Sequence, residues 1–271
     1  MTGMKYLFWN THQNENINSV LCDLIVENQI SLVILAEYTA KIKGLTDLLN
    51  LRGFSIEQYP APGCERIRIL GIKGLAIKPA DQADHFSIQV IDNNLILCCV
   101  HLNSQLHPGG TRRREEEMRQ IIDCILPLEE KYHTKKTVIT GDFNMNPYDD
   151  SCLDAAYFHA IPIHQEAMRK SRTVAKKVYE MFYNPMWNLL GDFTEPYGTY
   201  YNNTSDFVNP YWNVFDQVII RPELKRYFLE KSLRILTATD NASLLDKNKH
   251  PDHSISDHLP ITFEIKEEDH E

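Results

Sequence analysis

The feature that most constrains this chain is a series of short apolar runs, each of which ends at an acid, an amide or an imidazole. The runs end at Trp9-Asn10, Ala36-Glu37, Val100-His101, Gly141-Asp142, Phe215-Asp216 and Ser256-Asp257-His258. Such runs are typical of buried β-strands, and strand ends are where a rigid fold presents functional groups. Four carboxylates and two histidines gathered there would be costly without a cation. The pattern therefore predicts a polar site at one rim of a β-rich fold.

The strand candidates alternate with a few helical segments along the whole chain. They are residues 5–9, 32–36, 67–77, 87–91, 95–101, 137–142, 198–201, 214–220, 233–236 and 259–265. This number of strands exceeds a single doubly wound sheet, and it favours two stacked mixed β-sheets flanked by helices in an α/β fold. Because no low-complexity linker divides the pattern, we expect one domain over residues 1–271.

Helical spacing of apolar residues predicts two helices and indicates a third. The first follows Asn16 as N-cap, and the second is capped by Thr111 and ends at Pro127. The third lies within residues 165–177, which hold five basic residues and one glutamate, with Arg169, Arg172 and Lys176 on one face. This face is either an ordinary solvated surface or a patch that binds phosphate.

The formal net charge of −9 excludes tight, non-specific coating of nucleic acid or of anionic bilayers. A phosphate-bearing substrate would need a local basic patch or a divalent cation.

No apolar run is long enough to span a membrane, so we expect no membrane insertion, and nothing in the sequence indicates an obligatory protein partner. The six cysteines form no C-x-x-C pair and favour buried thiols in a cytoplasmic protein, with export by an unusual route left open.

The polar strand ends, taken in chain order, resemble the endonuclease/exonuclease/phosphatase superfamily, which is deoxyribonuclease I-like. The matching segments are Trp9-Asn10, Leu35-Ala36-Glu37, Val100-His101-Leu102, Gly141-Asp142-Phe143-Asn144, Phe215-Asp216-Gln217-Val218 and Ser256-Asp257-His258. They keep the order of the family and span residues 9 to 258. The resemblance implies a four-layer α/β sandwich and a metal-dependent phosphoric ester hydrolase.

The resemblance also implies a role for each polar residue. Asn10, Glu37 and Asp257 would hold Mg²⁺, or alternatively Mn²⁺, because hard cations prefer oxygen ligands. The residues expected to act in catalysis are His101, Asp142, Asn144, Asp216 and His258. Asp142 would take the proton of the attacking water, although a ligand role is nearly as favourable. His258 would contact the scissile phosphate, and Asp216 would orient its ring.

Three features leave parts of this interpretation open. His12 stands where family members that act on abasic DNA commonly have an aspartate. Glu65 resembles an acid that supports the central histidine, His101. The histidines His250, His253 and His258 with Asp252 and Asp257 form an alternative zinc site, which is disfavoured because Pro251 breaks any helix there.

Three functions are compatible with the sequence. A nuclease that uses nucleic acid as substrate is favoured by the basic segment and by nearby aromatic residues, namely Tyr197, Tyr200, Tyr201, Tyr211 and Trp212. The alternative is a phosphatase or phosphodiesterase acting on a small molecule or a lipid headgroup, and the acidic charge favours it. The third is a catalytically silent binding module, which is disfavoured because every chemical position is present.

Overall fold

Two mixed β-sheets stack face to face at the centre of the structure, a computed structural model that describes residues 3–105 and 109–266. The first sheet consists of β1 (Gly3–Asn10), β2 (Leu32–Ala36), β3 (Ile56–Tyr59), β4 (Ile67–Ile72), β16 (Arg234–Ile235) and β17 (Ile261–Lys266). Its spatial order is β16-β17-β1-β2-β4-β3.

The second sheet has seven described strands. They are β5 (Ile77–Ala83), β6 (Phe86–Ile91), β7 (Leu95–His101), β8 (Thr137–Asp142), β9 (Ala160–Ile161), β12 (Phe182–Tyr183) and β15 (Asp216–Ile220), in the spatial order β5-β6-β7-β8-β15-β12-β9. Two separate hairpins pair β10 (Ser171–Val174) with β11 (Lys177–Glu180), and β13 (Tyr200–Tyr201) with β14 (Trp212–Asn213).

Helices cover the outer faces of both sheets. The α-helices are α1 (Asn18–Asn28), α2 (Ile42–Leu51), α3 (Gly110–Lys131), α4 (Asp150–Leu153) and α5 (His164–Ala167), and the 3-10 helices are Pro185–Leu189, Pro222–Arg226 and Glu230–Ser232. One apolar cluster joins α1 and α2 to the first sheet, a second lies between the sheets, and a third joins α3 to the second sheet. The layers are therefore helix, sheet, sheet and helix, as predicted. Within the described residues, no helix is both long and apolar enough to cross a bilayer.

Strand alternation decides which polar residues face the space between the sheets. In β1, Tyr6 and Phe8 belong to the cluster between the sheets, whereas Leu7 and Trp9 belong to the cluster under the helices. Successive side chains of a strand point to opposite faces, so Asn10 continues the inner row of Tyr6 and Phe8. The strand pattern thus aims its terminal amide at the opposite sheet.

Strand direction brings these inner rows to one rim. β1 runs parallel to β2 and β7 runs parallel to β8, so their C-terminal ends point the same way, while β15 is antiparallel to β8. The register pairs Asp142 with His101 on one side and with Asp216 on the other. Three neighbouring strands therefore present these side chains in a row.

Several predicted boundaries differ from the structure. The predicted strand 67–77 divides into β4 and β5 of different sheets, because Gly74 has a φ of +93° and turns the chain between them. The N-cap of α1 is Ile17 rather than Asn16, and α3 begins at Gly110, before Thr111. Helix α3 also continues past Pro127, since its apolar face stays packed on the second sheet.

The prediction of a basic helix within residues 165–177 is wrong. After the short helix α5, the chain forms the hairpin of β10 and β11. Ala175 and Lys176 both have positive φ, at +47° and +69°, as the favoured two-residue hairpin turns require. Local turn geometry therefore overrides the helical spacing of Arg169, Arg172 and Lys176.

Candidate functional site

A cleft of about 440 Å³ opens at the rim where the polar strand ends converge. Its lining includes every predicted site residue except Asp216, namely Asn10, Glu37, His101, Asp142, Asn144, Asp257 and His258. Asp216 is fully buried and contacts His258. The separate strand ends predicted from the sequence thus form one site.

His258 lies between two carboxylates. Its Nδ1 is 2.8 Å from Asp216 Oδ2, and its Nε2 is 3.9 Å from Asp142 Oδ2. Burial disfavours the charged ring, but Asp216 and Asp142 outweigh burial and raise the pKa of His258 to about 10. Burial raises the pKa of Asp216 to about 6, which still leaves that carboxylate ionised at neutral pH. The pair therefore presents an imidazolium to Asp142.

The backbone around His258 is fixed by contacts with β1. Trp9 donates its indole N–H to the carbonyl of His258 at 2.8 Å, and Ser256 donates its hydroxyl to the carbonyl of Asn10 at 2.8 Å. The Ser256 hydroxyl also accepts the N–H of His258 at 3.1 Å. The serine of the Ser-Asp-His segment thus ties the histidine to the end of the first strand.

Asp142 is 1% exposed and is held by two donors. Asn10 Nδ2 is 3.1 Å from Oδ2, and the backbone N–H of Asn144 is 2.8 Å from Oδ1. The preceding Gly141 has a φ of +152°, and a Cβ there would lie 1.9 Å from the carbonyl oxygen of Val100. Glycine therefore lets β8 approach β7 closely enough to place Asp142 in the row.

Glu37 follows β2 in the left-handed region, with a φ of +51°. Its N–H donates to the carbonyl of Arg66 at 3.3 Å, and its own carbonyl accepts the hydroxyl of Thr11 at 3.0 Å. These contacts hold a conformation that costs a bulky residue about 1–3 kcal/mol. The strained turn carries the carboxylate into the cleft, 3.4 Å from Asn10 Nδ2.

His101 faces Glu37 and Asp142 rather than Glu65. Its Nε2 is 3.5 Å from Glu37 Oε1 and 3.8 Å from Asp142 Oδ2. Burial lowers the pKa of His101, although both carboxylates oppose this effect. Glu65 is exposed and does not line the cleft, so the sequence-based match of Glu65 to a supporting acid is wrong.

Asn144 reaches the cleft from beyond the end of a strand. An extended chain would place Asp142 and Asn144, two residues apart, on one face, but Asn144 follows the end of β8 with a φ of +49°. Its side-chain amide donates to the carbonyl of Leu102 at 2.9 Å, and Arg114 donates to its backbone carbonyl. Asn144 therefore orients Asp142 through its backbone N–H.

The residues expected to hold a cation fit that role unequally. Asp257 Oδ1 makes no hydrogen bond among the described residues but lies 3.1 Å from His12 Nδ1 as an ion pair, and Glu37 lines the same cleft. Oxygen donors of this kind suit a hard divalent cation. Asn10 differs from its predicted role, because Oδ1 accepts the N–H of His12 at 3.1 Å and the amide nitrogen consequently faces Glu37 and Asp142. Here Asn10 orients carboxylates.

The alternative zinc site does not assemble. His250 stacks on Tyr201 with 3.6 Å between ring centroids, and His253 is exposed. Within the described ranges, the group of metal-capable side chains that does come together is Asp142, Asp216 and His258, whose donor atoms lie within 4.8 Å of one another. Two members of that group, Asp216 and His258, already pair with each other at 2.8 Å.

Sequence reasoning missed several residues that line the cleft. They include Gln13, Arg66, His85 and Asn103, beside His12, whose role had been left open. Arg66 is the one lysine or arginine among the described lining residues. It precedes β4, which pairs antiparallel with β2, so that pairing could have placed Arg66 beside Glu37. His85 Nδ1 lies 2.7 Å from the carbonyl oxygen of His101, a contact without a sequence signal.

The aromatic residues thought available for stacking on bases mostly contact one another, edge-to-face or stacked. Tyr201 lies 5.5 Å from Trp212 and 6.5 Å from Tyr211 between ring centroids. Tyr200 is the member that lines the cleft, and its ring centroid is 4.9 Å from that of His258. The other members therefore contact one another outside the lining of the cleft.

The sequence matches no family model and no curated protein. Solved structures match it over nearly its whole length. They include a 3'-5' exonuclease (NExo) from Neisseria meningitidis, at 15% identity over 97% of this chain and 100% of that one, with a TM-score of 0.58. An endonuclease/exonuclease/phosphatase family protein from Bacteroides thetaiotaomicron matches at 13% identity over 97% and 98% of the two chains, with a TM-score of 0.57. An AP endonuclease from Archaeoglobus fulgidus matches at 11% identity over 96% and 98%, with a TM-score of 0.55. The chain has the endonuclease/exonuclease/phosphatase fold, as its sequence resemblance implied.

Proposed function

We propose that this chain is a divalent-metal-dependent phosphodiesterase, and a nuclease is the activity that we favour. The observation that carries the proposal is the convergence of His258, Asp142 and Glu37 on one cleft, with Asp216 fixing the histidine from behind. A phosphodiester repels nucleophiles, so its hydrolysis needs positive charge on the phosphate, a positioned water and a group that accepts a proton. The cleft holds candidates for each requirement.

Glu37 and Asp257 are the residues that would hold the cation, for which we propose Mg²⁺ with Mn²⁺ as an alternative. A bound divalent cation would supply positive charge to the phosphate oxygens and stabilise the leaving oxygen. Without it, the carboxylates of Glu37, Asp142 and Asp257 in one cleft would repel a phosphate.

The protein side chains divide the remaining work. His258, kept protonated by Asp216 and Asp142, donates a hydrogen bond from Nε2 to a non-bridging oxygen of the phosphate. Asp142, oriented by Asn10 and by the N–H of Asn144, accepts the proton of the attacking water. His101 Nε2 faces the same carboxylate at 3.8 Å and adds a second contact to the phosphate.

Nucleic acid is the substrate that we favour. The neighbours in fold include an exonuclease and an AP endonuclease, which makes a nucleic-acid phosphodiester the first substrate class to test. Tyr200 beside His258 offers a ring face at the cleft, on which a base could stack. His12 in place of the usual aspartate argues against repair of abasic sites as the specific task.

A small-molecule or lipid-headgroup phosphate ester is the second candidate. It is favoured by the scarcity of positive charge, since Arg66 is the one lysine or arginine among the described lining residues. The hairpin of β10 and β11, which carries the basic residues, begins next to Glu223 and Arg221, just past the C-terminal end of β15. Asp216 lies at the opposite, N-terminal end of that strand. A polyanion that occupies the cleft would therefore meet no continuous basic track there.

A substrate panel separates the two candidates. We expect single-stranded DNA or RNA to be hydrolysed faster than inositol phosphates in the presence of Mg²⁺ or Mn²⁺, with duplex DNA as a third polymer. Each reaction is repeated with chelator and with Asp142→Asn as the matched inactive control. Faster hydrolysis of inositol phosphates than of every polymer would make the second candidate the function.

We also propose that the protein acts in the cytoplasm as one domain. The support for a reducing compartment is that all six cysteines are free thiols and five of them are buried.

A further inference from the structure

We propose that Thr199 is a positioning residue for the reaction, because its hydroxyl and its backbone together set where Asp216 stands against His258. The inference rests on the proposed function and concerns what holds the histidine–carboxylate pair of the same site. Thr199 is fully buried and comes directly before β13. It does not line the cleft, so its effect on the reaction passes through the pair of Asp216 and His258.

The hydroxyl of Thr199 holds the first residue of β15. Its Oγ1 accepts the backbone N–H groups of Phe215 and Asp216, each at 3.1 Å. A buried N–H without an acceptor is costly, so these two bonds favour one position of the chain at this point. The side chain of Asp216 starts from the backbone that the hydroxyl fixes.

The backbone of Thr199 reaches the other member of the pair. Its carbonyl accepts the N–H of Leu259 at 2.8 Å, and Leu259 directly follows His258. The next residue, Tyr200, forms an antiparallel bridge with His258. Thr199 therefore contacts the chain beside both partners.

The two partners depend on this intermediate segment. In the described part of the chain, no backbone hydrogen bond runs directly from residues 213–217 to residues 256–259. Thr199 also donates its N–H to the carbonyl of Asn213 at 2.8 Å, and a Cβ at Gly198 would lie 2.5 Å from that same oxygen. The segment is thus packed tightly against the chain that leads into β15, and it sets the distance across which the pair meets.

The first experiment compares turnover in Thr199→Val, which keeps the shape of the side chain and removes the acceptor. We expect kcat to fall by at least ~10-fold with KM close to that of the wild type, because a displacement of about 1 Å can cost up to ~10²-fold in rate. Thr199→Ser keeps the hydroxyl and should restore kcat. If Thr199→Val does not fold, Thr199→Ala carries the same comparison.

Thr262→Val is the matched control, since Thr262 is also buried in a strand and its hydroxyl donates to the carbonyl of Ser232 at 3.3 Å. This variant should lower the melting temperature and leave kcat unchanged. Equal kcat in a folded Thr199→Val and in the wild type would overturn the inference.

A double-mutant cycle separates positioning from general stability. In an Asp216→Ala background, Thr199→Val should cost no further turnover, because the group that it positions is absent. Losses that add in full would show that Thr199 does not act through Asp216, and they would also overturn the inference.

Proton NMR of the substrate-free protein gives a readout that does not depend on activity. The Nδ1–H of His258, held 2.8 Å from Asp216 Oδ2, should give a downfield resonance that is absent from His258→Ala. We expect the resonance to be lost or shifted in Thr199→Val and kept in Thr199→Ser and Thr262→Val. An unchanged resonance in Thr199→Val would refute the role of Thr199. The expected NMR changes in a chain that hydrolyses no phosphate ester would refute the proposed function alone.

Discussion

At the scale of single residues, the cleft depends on carboxylates that specific neighbours hold in position. Asp142 accepts hydrogen bonds from Asn10 and from the backbone of Asn144, and His258 lies 3.9 Å away. Asp216 is fully buried, and its ring partner His258 is almost so. Each of these side chains therefore has a defined orientation before any substrate binds, which is the condition for acid–base catalysis.

Replacement of Asp142 by asparagine should lower turnover by at least ~10²-fold, because the amide cannot accept the proton of the water. The shape of the side chain is retained, so the melting temperature should stay close to that of the wild type. Steady-state kinetics and thermal unfolding of the same preparation check both parts. Equal turnover of the variant and the wild type would remove Asp142 from the mechanism.

The His258 pair predicts an ordered series of variants. His258→Ala removes the group that contacts the phosphate and should cost at least ~10²-fold in turnover. Asp216→Asn keeps a polar partner for Nδ1 and removes the charge that favours the imidazolium, so its loss should be smaller. The turnover numbers of the two variants under saturating substrate provide the measurement. A larger loss in Asp216→Asn would mean that the carboxylate does more than orient the ring.

At the scale of elements, the site depends on how closely the strands approach one another. Gly141 lies opposite Val100 in the β7–β8 pair, and the absence of a side chain allows that contact. At the other end of β8, Glu129 of α3 is buried and contacts Arg221 at 2.7 Å and Lys135 at 2.7 Å. One end of the strand is thus set by backbone contact and the other end by a buried ion pair.

Gly141→Ala should lower both the melting temperature and turnover, since its Cβ would lie 1.9 Å from a backbone oxygen that cannot move alone. The strands must separate, which displaces Asp142. Gly53→Ala is the matched control, because Gly53 also has a positive φ but has open space around its Cβ position. Similar losses in both variants would attribute the effect to backbone strain and not to the strand contact.

Glu129 should make stability depend on pH. Burial opposes the carboxylate, but Arg221, Lys135 and Thr137 outweigh burial and lower the pKa of Glu129 below its ordinary value. The contribution of Glu129 to the free energy of unfolding is therefore fully present above the pKa that this residue has in the unfolded chain. It is lost as the pH falls through the lower pKa that Glu129 has in the folded protein. Denaturant unfolding between neutral and acidic pH should show this loss in the wild type.

Glu129→Gln should remove that pH dependence and destabilise the protein by roughly 3 kcal/mol at neutral pH, because the buried Arg221 would lose its closer charge partner and keep the more exposed Glu180 at 3.1 Å. Glu116→Gln, on the exposed face of the same helix, is the matched control and should change little. An unaltered pH profile in Glu129→Gln would contradict the assignment.

At the scale of the whole molecule, the architecture and the location of the site follow from the sequence, whereas several local details do not. Alternation along β1 and the parallel pairing with β2 place Asn10 and Glu37 together, and both features can be recognised in the sequence. The left-handed turns at Glu37 and Asn144 could not be predicted, because they depend on contacts with distant chain segments such as Arg66 and Leu102. Tertiary contacts decide these conformations.

The basic segment illustrates the same limit. Its helical spacing was compatible with a binding face, but positive φ at two turn residues makes it a hairpin. The hairpin contacts Arg221 through Glu180, and Asp216 lies five residues before Arg221 along β15, about 17 Å away in an extended strand. The positive charge of this segment in the sequence does not show whether it forms a helix beside the cleft or a hairpin at the far end of β15.

Combined replacement of Arg169, Arg172 and Lys176 by alanine should therefore leave the hydrolysis of a polymer and of a small chromogenic diester unchanged across a range of salt concentrations. The physical reason is that none of the three lines the cleft. Replacement of Arg66, which does line it, is the comparison and should raise KM for both substrates. A flattened salt dependence for polymer in the triple variant would restore the hairpin as a substrate contact.

Hydrolysis in the presence and absence of a divalent cation tests the central claim most directly. We expect the wild-type chain to hydrolyse a phosphodiester with Mg²⁺ or Mn²⁺, to lose turnover in EDTA and to recover it when the metal is returned, with Asp142→Asn inactive throughout. Without the cation, the cleft holds too little positive charge to offset its carboxylates, and a phosphate would be repelled. Full turnover in EDTA would contradict the proposed metal dependence.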